Sequence, residues 1–278
     1  MSGVSDIDGF LRHIRACRAA TLPGDRVAFR LGTAQVGWVA PALAAVLRDD
    51  PAIRADAAGL SLADPEALGR INRAAVERGF CRWRGEAFDV RATPDGPVLA
   101  QLDRGALPAF GVEAVGVHMN GLVRHADGLR IWVARRAANK ALDPGKLDHL
   151  VAGGVPAGLS PDETLIKEAG EEAAIPPALA ACARRVGLVA YTMDRPEGLR
   201  RDRLYCYDLE LPVDFCPVAA DGEVESFELW PARRVLEAVR DGEEFKFNVP
   251  LVLIDLFLRH GLIGGTEAAA LRAALDEN

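Results

Sequence analysis

Apolar positions recur at two periods along this chain, and the switch between them marks its elements. Ile7, Phe10, Leu11, Ile14 and Cys17 fall three or four apart, which places them on one face of a helix over residues 5–20. Residues 26–38 alternate apolar and polar around Gly32, the pattern of a short hairpin. Residues 41–47 read as helix. Asp64 followed by Pro65 is a cap with proline at the first helical position, opening a helix that runs to Arg78. Residues 80–90 alternate around Arg84-Gly85-Glu86, which predicts a second hairpin. Pro108 and Gly111 interrupt the pattern, and from Val112 strands dominate. They are predicted at 115–123, 129–134, 147–152, 185–191, 203–211 and 224–230, with closing helices at 231–239, 249–258 and 267–275.

The chemistry gathers around one strand, glycine loop and helix. Ser160 can accept a first-turn N–H, Pro161 sits where its missing N–H costs nothing, and Glu163 completes a capping box. Ile175-Pro176-Pro177 stops the helix, because a residue before proline avoids helical backbone. On the helical wheel Leu165, Ile166, Ala169 and Ala173 form an apolar stripe. Glu168, Glu171 and Glu172 share an adjacent face with Lys167 at its edge. Like-charged neighbours at this spacing cost roughly 0.2–0.5 kcal/mol each. A hard divalent cation, Mg2+ or Mn2+, would relieve that repulsion by taking carboxylate oxygens. Three glutamates alone usually make a solvated face. Gly153, Gly154 and Gly158 just before the helix shift the balance, since they let backbone approach a ligand where a helix start attracts anions.

The order of Gly153-Gly154, Gly158 and Lys167-Glu168-x-x-Glu171-Glu172, ending at Ile175, resembles the Nudix box. Lys167 stands where that family usually has Arg, Ala174 where it has Gly, and Leu159 where it has the first Glu. Residues 151–175, 197–202 and 221–230 resemble one Nudix branch in particular. That branch is related to the N-terminal part of fungal thiamine pyrophosphokinase and has plant and bacterial members. The resemblance implies an α/β fold, a Nudix α/β/α sandwich with a mixed sheet, over residues 111–278 with C-terminal helices. A small α+β accessory domain would precede it over residues 1–110, serving packing, dimerisation or substrate covering.

The activity implied is Mg2+-dependent cleavage of thiamine diphosphate, or its oxidised analogues, to monophosphate and phosphate. Nucleoside diphosphate conjugates stay open as substrates, as does a non-catalytic ligand-binding module. Glu168, Glu171 and Glu172 would hold the metal and Lys167 would steady a carboxylate. A box glutamate or Glu225 would accept the proton, with Glu223 as another acid from outside the box. Gly153, Gly154, Arg135 and Arg136 at a strand end, and Arg200 and Arg201 in a polar stretch read as a loop, are candidates for substrate contacts.

Composition narrows the rest. The chain's 278 residues, half of them hydrophobic, suit two modest domains or one large one. A net charge of −7 argues against general attraction to nucleic acid or anionic membrane. The five cysteines are scattered, so free core thiols are expected rather than disulfides or a zinc site. The five histidines show no ligand spacing and read as structural or surface residues. The first residues lack signal-peptide character and no run approaches the roughly 20 apolar residues of a membrane span, so the default is a cytoplasmic protein. The partner expected is a small-molecule diphosphate, and a homodimer is left open.

Overall fold

In the computed structural model, which describes residues 7–277, the switch of period at Val112 becomes a switch of sheet. Residues 1–6, on which the leader reading falls, lie outside the described residues. The first part comprises α1 (Asp8–Cys17), β1 (Val27–Leu31), β2 (Ala34–Val39), α2 (Pro41–Arg48), β3 (Ile53–Asp56) and β4 (Gly59–Leu62). It continues with α3 (Leu68–Glu77), β5 (Ala87–Val90), β6 (Ala100–Asp103) and α4 (Leu107–Phe110). Strands β2-β1-β4-β3 form one sheet and β5-β6 a separate pair. Phe29, Leu31, Leu60 and Leu62 meet Leu43, Leu68, Ile71 and Phe110 in a core of their own. Each fully buried side chain of this size contributes about 1.5–3 kcal/mol.

The hairpin predicted over residues 80–90 does not form. Strand β5 pairs instead with β6, across residues 91–99. The cause is Asp103, whose carboxylate accepts the N–H groups of Arg84, Gly85 and Glu86 at 2.9, 2.7 and 3.2 Å. A side chain thus takes the bonds a strand partner would have made.

The second part runs β7 (Glu113–His125), β8 (Gly128–Arg136), β9 (Leu147–Asp148), β10 (Val151–Gly154), α5 (Pro161–Ala173) and α6 (Pro177–Ala180). Then follow β11 (Arg184–Arg195), β12 (Gly198–Glu210), β13 (Val224–Pro231), α7 (Ala232–Asp241), α8 (Val249–Arg259) and α9 (Gly265–Asp276). The sheet order is β11-β12-β7-β8-β13, with β10 on β7 and β9 on β8. Strands β12 and β7 are parallel and the other pairs antiparallel, so the sheet is mixed. Alternation along β7 and β8 feeds two layers. Val117, Met119 and Trp132 pack with Leu165, Ala169 and Ala173 of α5. Leu122, Ile131 and Val133 pack on the other face with α7, α8 and α9. Helix α8 is apolar all round, and its one buried acid, Asp255, is paired at 2.7 Å with both Arg259 and Arg272.

Two further expectations change. Residues 193–202, read as a loop, are strand: β11 and β12 run on to Arg195 and Gly198, which pair directly. Tyr191 and Met193 are buried on one face of this hairpin, which their partners Asp202 and Arg200 share, and Leu199 is buried on the other, opposite Asp194. The cysteines are free as expected, yet only Cys17 and Cys206 are buried, and Cys182 and Cys216 are exposed.

Helix α1 packs against the end of the chain. Phe10, Ile14 and Cys17 join the core of α7 to α9, with the Phe10 and Phe257 rings 6.4 Å apart. Arg12 donates to the carbonyls of Val239, Arg240 and Gly242 at 3.2, 2.6 and 2.5 Å, groups that a helix end leaves unpaired. Gly9 permits the approach, because a Cβ there would lie 2.4 Å from the Arg240 carbonyl oxygen. Among the described residues no helix is long and apolar enough to cross a membrane.

Candidate active site

The cap read from the sequence forms in full. Ser160 Oγ accepts the Glu163 N–H at 3.2 Å and the Glu163 carboxylate accepts the Ser160 N–H at 2.9 Å. This starts α5 beside β10 and lays its apolar stripe on the sheet. Gly153 allows the close contact, since a Cβ there would sit 2.6 Å from the carboxyl carbon of Glu168. The helix ends at Ala174, which adopts left-handed backbone with φ of 53°. Glycine takes that conformation without the Cβ clash, so Ala174 carries strain of about 1 kcal/mol.

The three helix glutamates fall into two sets, Glu168 and Glu171 on Lys167 and Glu172 on the Ala152 N–H. Glu171 is half exposed and 2.5 Å from Lys167 Nζ, while Glu168 is 17 % exposed and 3.2 Å from the same nitrogen. Glu172, at 7 % exposure, turns inward and accepts the Ala152 N–H at 2.9 Å. One of its carboxylate oxygens lies within 4.8 Å of one from Asp221 and one from Glu223. Asp221 also accepts the Glu223 N–H at 2.8 Å, a local turn that presents both acids together. Glu225, singled out from the sequence as a base, is exposed and stands outside this group. The reason is the bulge between Val224 and Ser226, which leaves Glu225 unpaired and re-aims its neighbours.

Electrostatics separate these acids. Burial raises the Glu172 carboxyl to about 8; Asp148, Glu168 and Asp221 add to the rise and the Ala152 N–H opposes it. Burial also raises Glu168 above the ordinary carboxylate value, against Lys167. Burial pushes Glu223 upward too, but Lys140, Arg104 and Arg136 outweigh it and leave its carboxyl lowered.

The cleft over Glu172 and Glu223 is also lined by Arg136, Lys140, Asp148 and His149. Sequence reasoning does not reach Asp148, Lys246 or the histidine pair. Asp148 lies 2.7 Å from Arg136 and 3.5 Å from Lys246. His118 and His149 place their Nδ1 atoms 2.7 Å apart, so one ring donates and the other accepts. Burial depresses both imidazoles, His149 to about 4. Strand register creates the pair: His118 faces Ala152 across β7 and β10, three residues past His149.

The candidate substrate arginines are dispersed. Arg136 lines the cleft, but its Nε, Nη1 and Nη2 bond to Asp143, Asp148 and Leu142. Arg135 donates to the Gly145 carbonyl. Arg200 donates to Asp202 and Glu197, and Arg201 to the Gly111 carbonyl.

A mixed sheet between helical layers, with an acidic helix launched from a glycine loop, defines an α/β protein with carboxylates gathered beside close-packed backbone. The family model described as the NUDIX domain matches residues 116–249. The chain is 37% identical over 279 residues to Nudix hydrolase 20, chloroplastic, of Arabidopsis thaliana, covering 93% of this chain and 75% of that protein. It is 37% identical over 272 residues to Nudix hydrolase 24, chloroplastic, of the same plant, covering 93% and 74%. Among solved structures it is similar to DR0079 from Deinococcus radiodurans, with a TM-score of 0.46 and 24% identity over 60% of this chain and 97% of that one. The chain belongs to the Nudix hydrolase family and is a diphosphate hydrolase.

Proposed function

We propose that this chain is a divalent-cation-dependent pyrophosphohydrolase whose substrate is thiamine diphosphate or an oxidised analogue, released as monophosphate and phosphate. The observation that carries the metal-dependent hydrolysis is the setting of Glu172. It is a buried carboxyl among other carboxylates, held by a backbone N–H, with its pKa raised to about 8. Such a group keeps its proton near neutral pH unless a cation takes that proton's place. Glu172, Asp221 and Glu223 offer the hard oxygen donors that Mg2+ or Mn2+ prefers. A cation held there supplies charge neutralisation at the diphosphate and makes water more acidic.

The remaining work falls to the chain itself. Glu168, lying against Gly153 and bonded to Lys167, is our choice for the proton acceptor. Its raised carboxyl brings it nearer the pKa useful to a general base. Glu171 is the outer partner of Lys167. Lys140 and Arg136 bring positive charge to the same cleft. The thiamine preference rests on the likeness of residues 197–202 and 221–230 to the thiamine-linked branch; Asp221 and Glu223 come from the second of these segments.

The test is monophosphate release by the full chain with Mg2+ or Mn2+. Thiamine diphosphate, its oxidised form, ADP-ribose and coenzyme A would be compared. Turnover should favour the thiamine compounds, and Glu172→Gln should lower kcat/KM by about 10²–10³-fold. Glu225→Gln should change it by less than about twofold. Equal or better turnover of ADP-ribose or coenzyme A would overturn the substrate assignment. Full activity in Glu172→Gln would overturn the metal site.

A further inference from the structure

The N-terminal part of the chain reaches into the glycine loop. Ala157, just past β10, donates its N–H to the Ala87 carbonyl of β5 at 2.7 Å. A Cβ placed on Gly154 would lie 2.6 Å from Phe88 Cζ and 3.7 Å from Arg104 Cζ. Gly154 is therefore bare because the Phe88 ring, from another part of the chain, occupies that space, and the Arg104 guanidinium borders it at contact distance. The Arg104 guanidinium carbon stands 5.8 Å from the Phe88 ring centroid, a cation–π arrangement.

Arg104 is held firmly from below. Its N–H bonds the Glu86 carbonyl at 2.8 Å, and its Nη1 bonds the Glu86 carboxylate at 2.8 Å. On either side, Asp103 accepts N–H groups from residues 84–86 and from Gly105. Gly105 itself lies so near Arg82 that a Cβ would fall 1.8 Å from its carbonyl oxygen. The side chain above this base remains 53 % exposed. Its charge also reaches the acidic group, being one of three cations that act on Glu223. Arg136 contrasts with it, because all three of its nitrogens are bonded within the protein.

We infer that Arg104, seated on Phe88, is a substrate-binding residue lent by the N-terminal part, gripping the phosphate oxygens of a diphosphate that lies along Gly153 and Gly154. The inference rests on the diphosphate hydrolysis proposed above. A planar fork of donors suits paired phosphate oxygens, and Lys in its place would keep the charge but lose the fork. The aromatic ring and Glu86 fix the guanidinium before substrate arrives, so less ordering is left for binding.

The experiment compares the full chain with Arg104→Ala, Arg104→Lys and Glu172→Gln. It reads thiamine diphosphate turnover with Mg2+, thermal melting, and calorimetric binding of methylenediphosphonate, a diphosphate that is not hydrolysed. Arg104→Ala should raise KM and weaken methylenediphosphonate binding by about tenfold each, with the melting temperature held. Arg104→Lys should recover part of both. Unchanged methylenediphosphonate affinity in Arg104→Ala sinks the inference, and so does a lower melting temperature with KM unaltered. If Glu172→Gln is inactive in that case, the hydrolase reading survives alone. If the unaltered chain turns over no diphosphate, the hydrolase reading fails, and the calorimetric comparison still decides whether Arg104 grips a diphosphate.

Discussion

Asp148 and Glu172 line one cleft and are both nearly buried, yet their surroundings drive them in opposite directions. Burial would raise both carboxyls. At Asp148 it is outweighed, by Lys246 first and then by His118, His149 and Arg136, so the carboxyl stays well below its ordinary range. At Glu172 burial wins, and neighbouring carboxylates reinforce it. The fold supplies counter-cations for one acid and gathers more acids around the other. The difference separates a structural ion pair from a place that gains stability from an added cation.

The comparison breaks most visibly if its compensated half is broken. Arg136→Met leaves Asp148 with Lys246 and the His149 N–H, and strands three backbone or carboxylate acceptors. Loss of one partner of a buried pair costs about 3–5 kcal/mol, readable as a fall in urea midpoint. A loss under about 1 kcal/mol would mean that Asp148 needs no second cation.

Acid should expose the histidine half of the same network. The His149 pKa is lowered by burial from 6.5 to about 4. Between those values the unfolded chain takes up a proton that the folded chain refuses. Its contribution is therefore fully present above about pH 6.5 and is lost as pH falls toward 4, by up to roughly 3 kcal/mol. The stability–pH curve of His149→Gln should be flatter across that window. Parallel curves would show that His149 is not held neutral.

The smallest effect sharpens the acidic half. Ala174→Gly removes the left-handed strain at the end of α5 without touching a carboxylate. It should stabilise the chain by about 0.5–1 kcal/mol in thermal or urea unfolding, and destabilisation would refute the strain.

What could be read from the sequence was local. The Ser160 cap, the Glu163 return bond and the stop near Ile175 follow from residues within one turn of each other. The Nudix sheet and helix layers followed from period and from the box. The far side of the site was hidden because distant pairings make it. His118 meets His149 only through the register of β7 with β10, and Lys246 reaches Asp148 from the connection between α7 and α8. Glu223 and Glu225 look alike in the sequence until a bulge, which no residue type announces, places one with Glu172 and leaves the other outside. The β11–β12 hairpin reads as a loop because both of its faces carry charge, Arg200 and Asp202 on one and Asp194 and Arg201 on the other.

The docking of α1 bears on how the chain comes to be folded. Its contacts with α7 and α8, and the bonds from Arg18 to the Ala274 and Leu275 carbonyls of α9, join α1 to helices 228 to 257 residues further along the chain. Phe10 and Ile14 must therefore wait, uncovered, until α7 to α9 have been made. The layer behind the sheet closes only when α7 to α9 can fold back onto it.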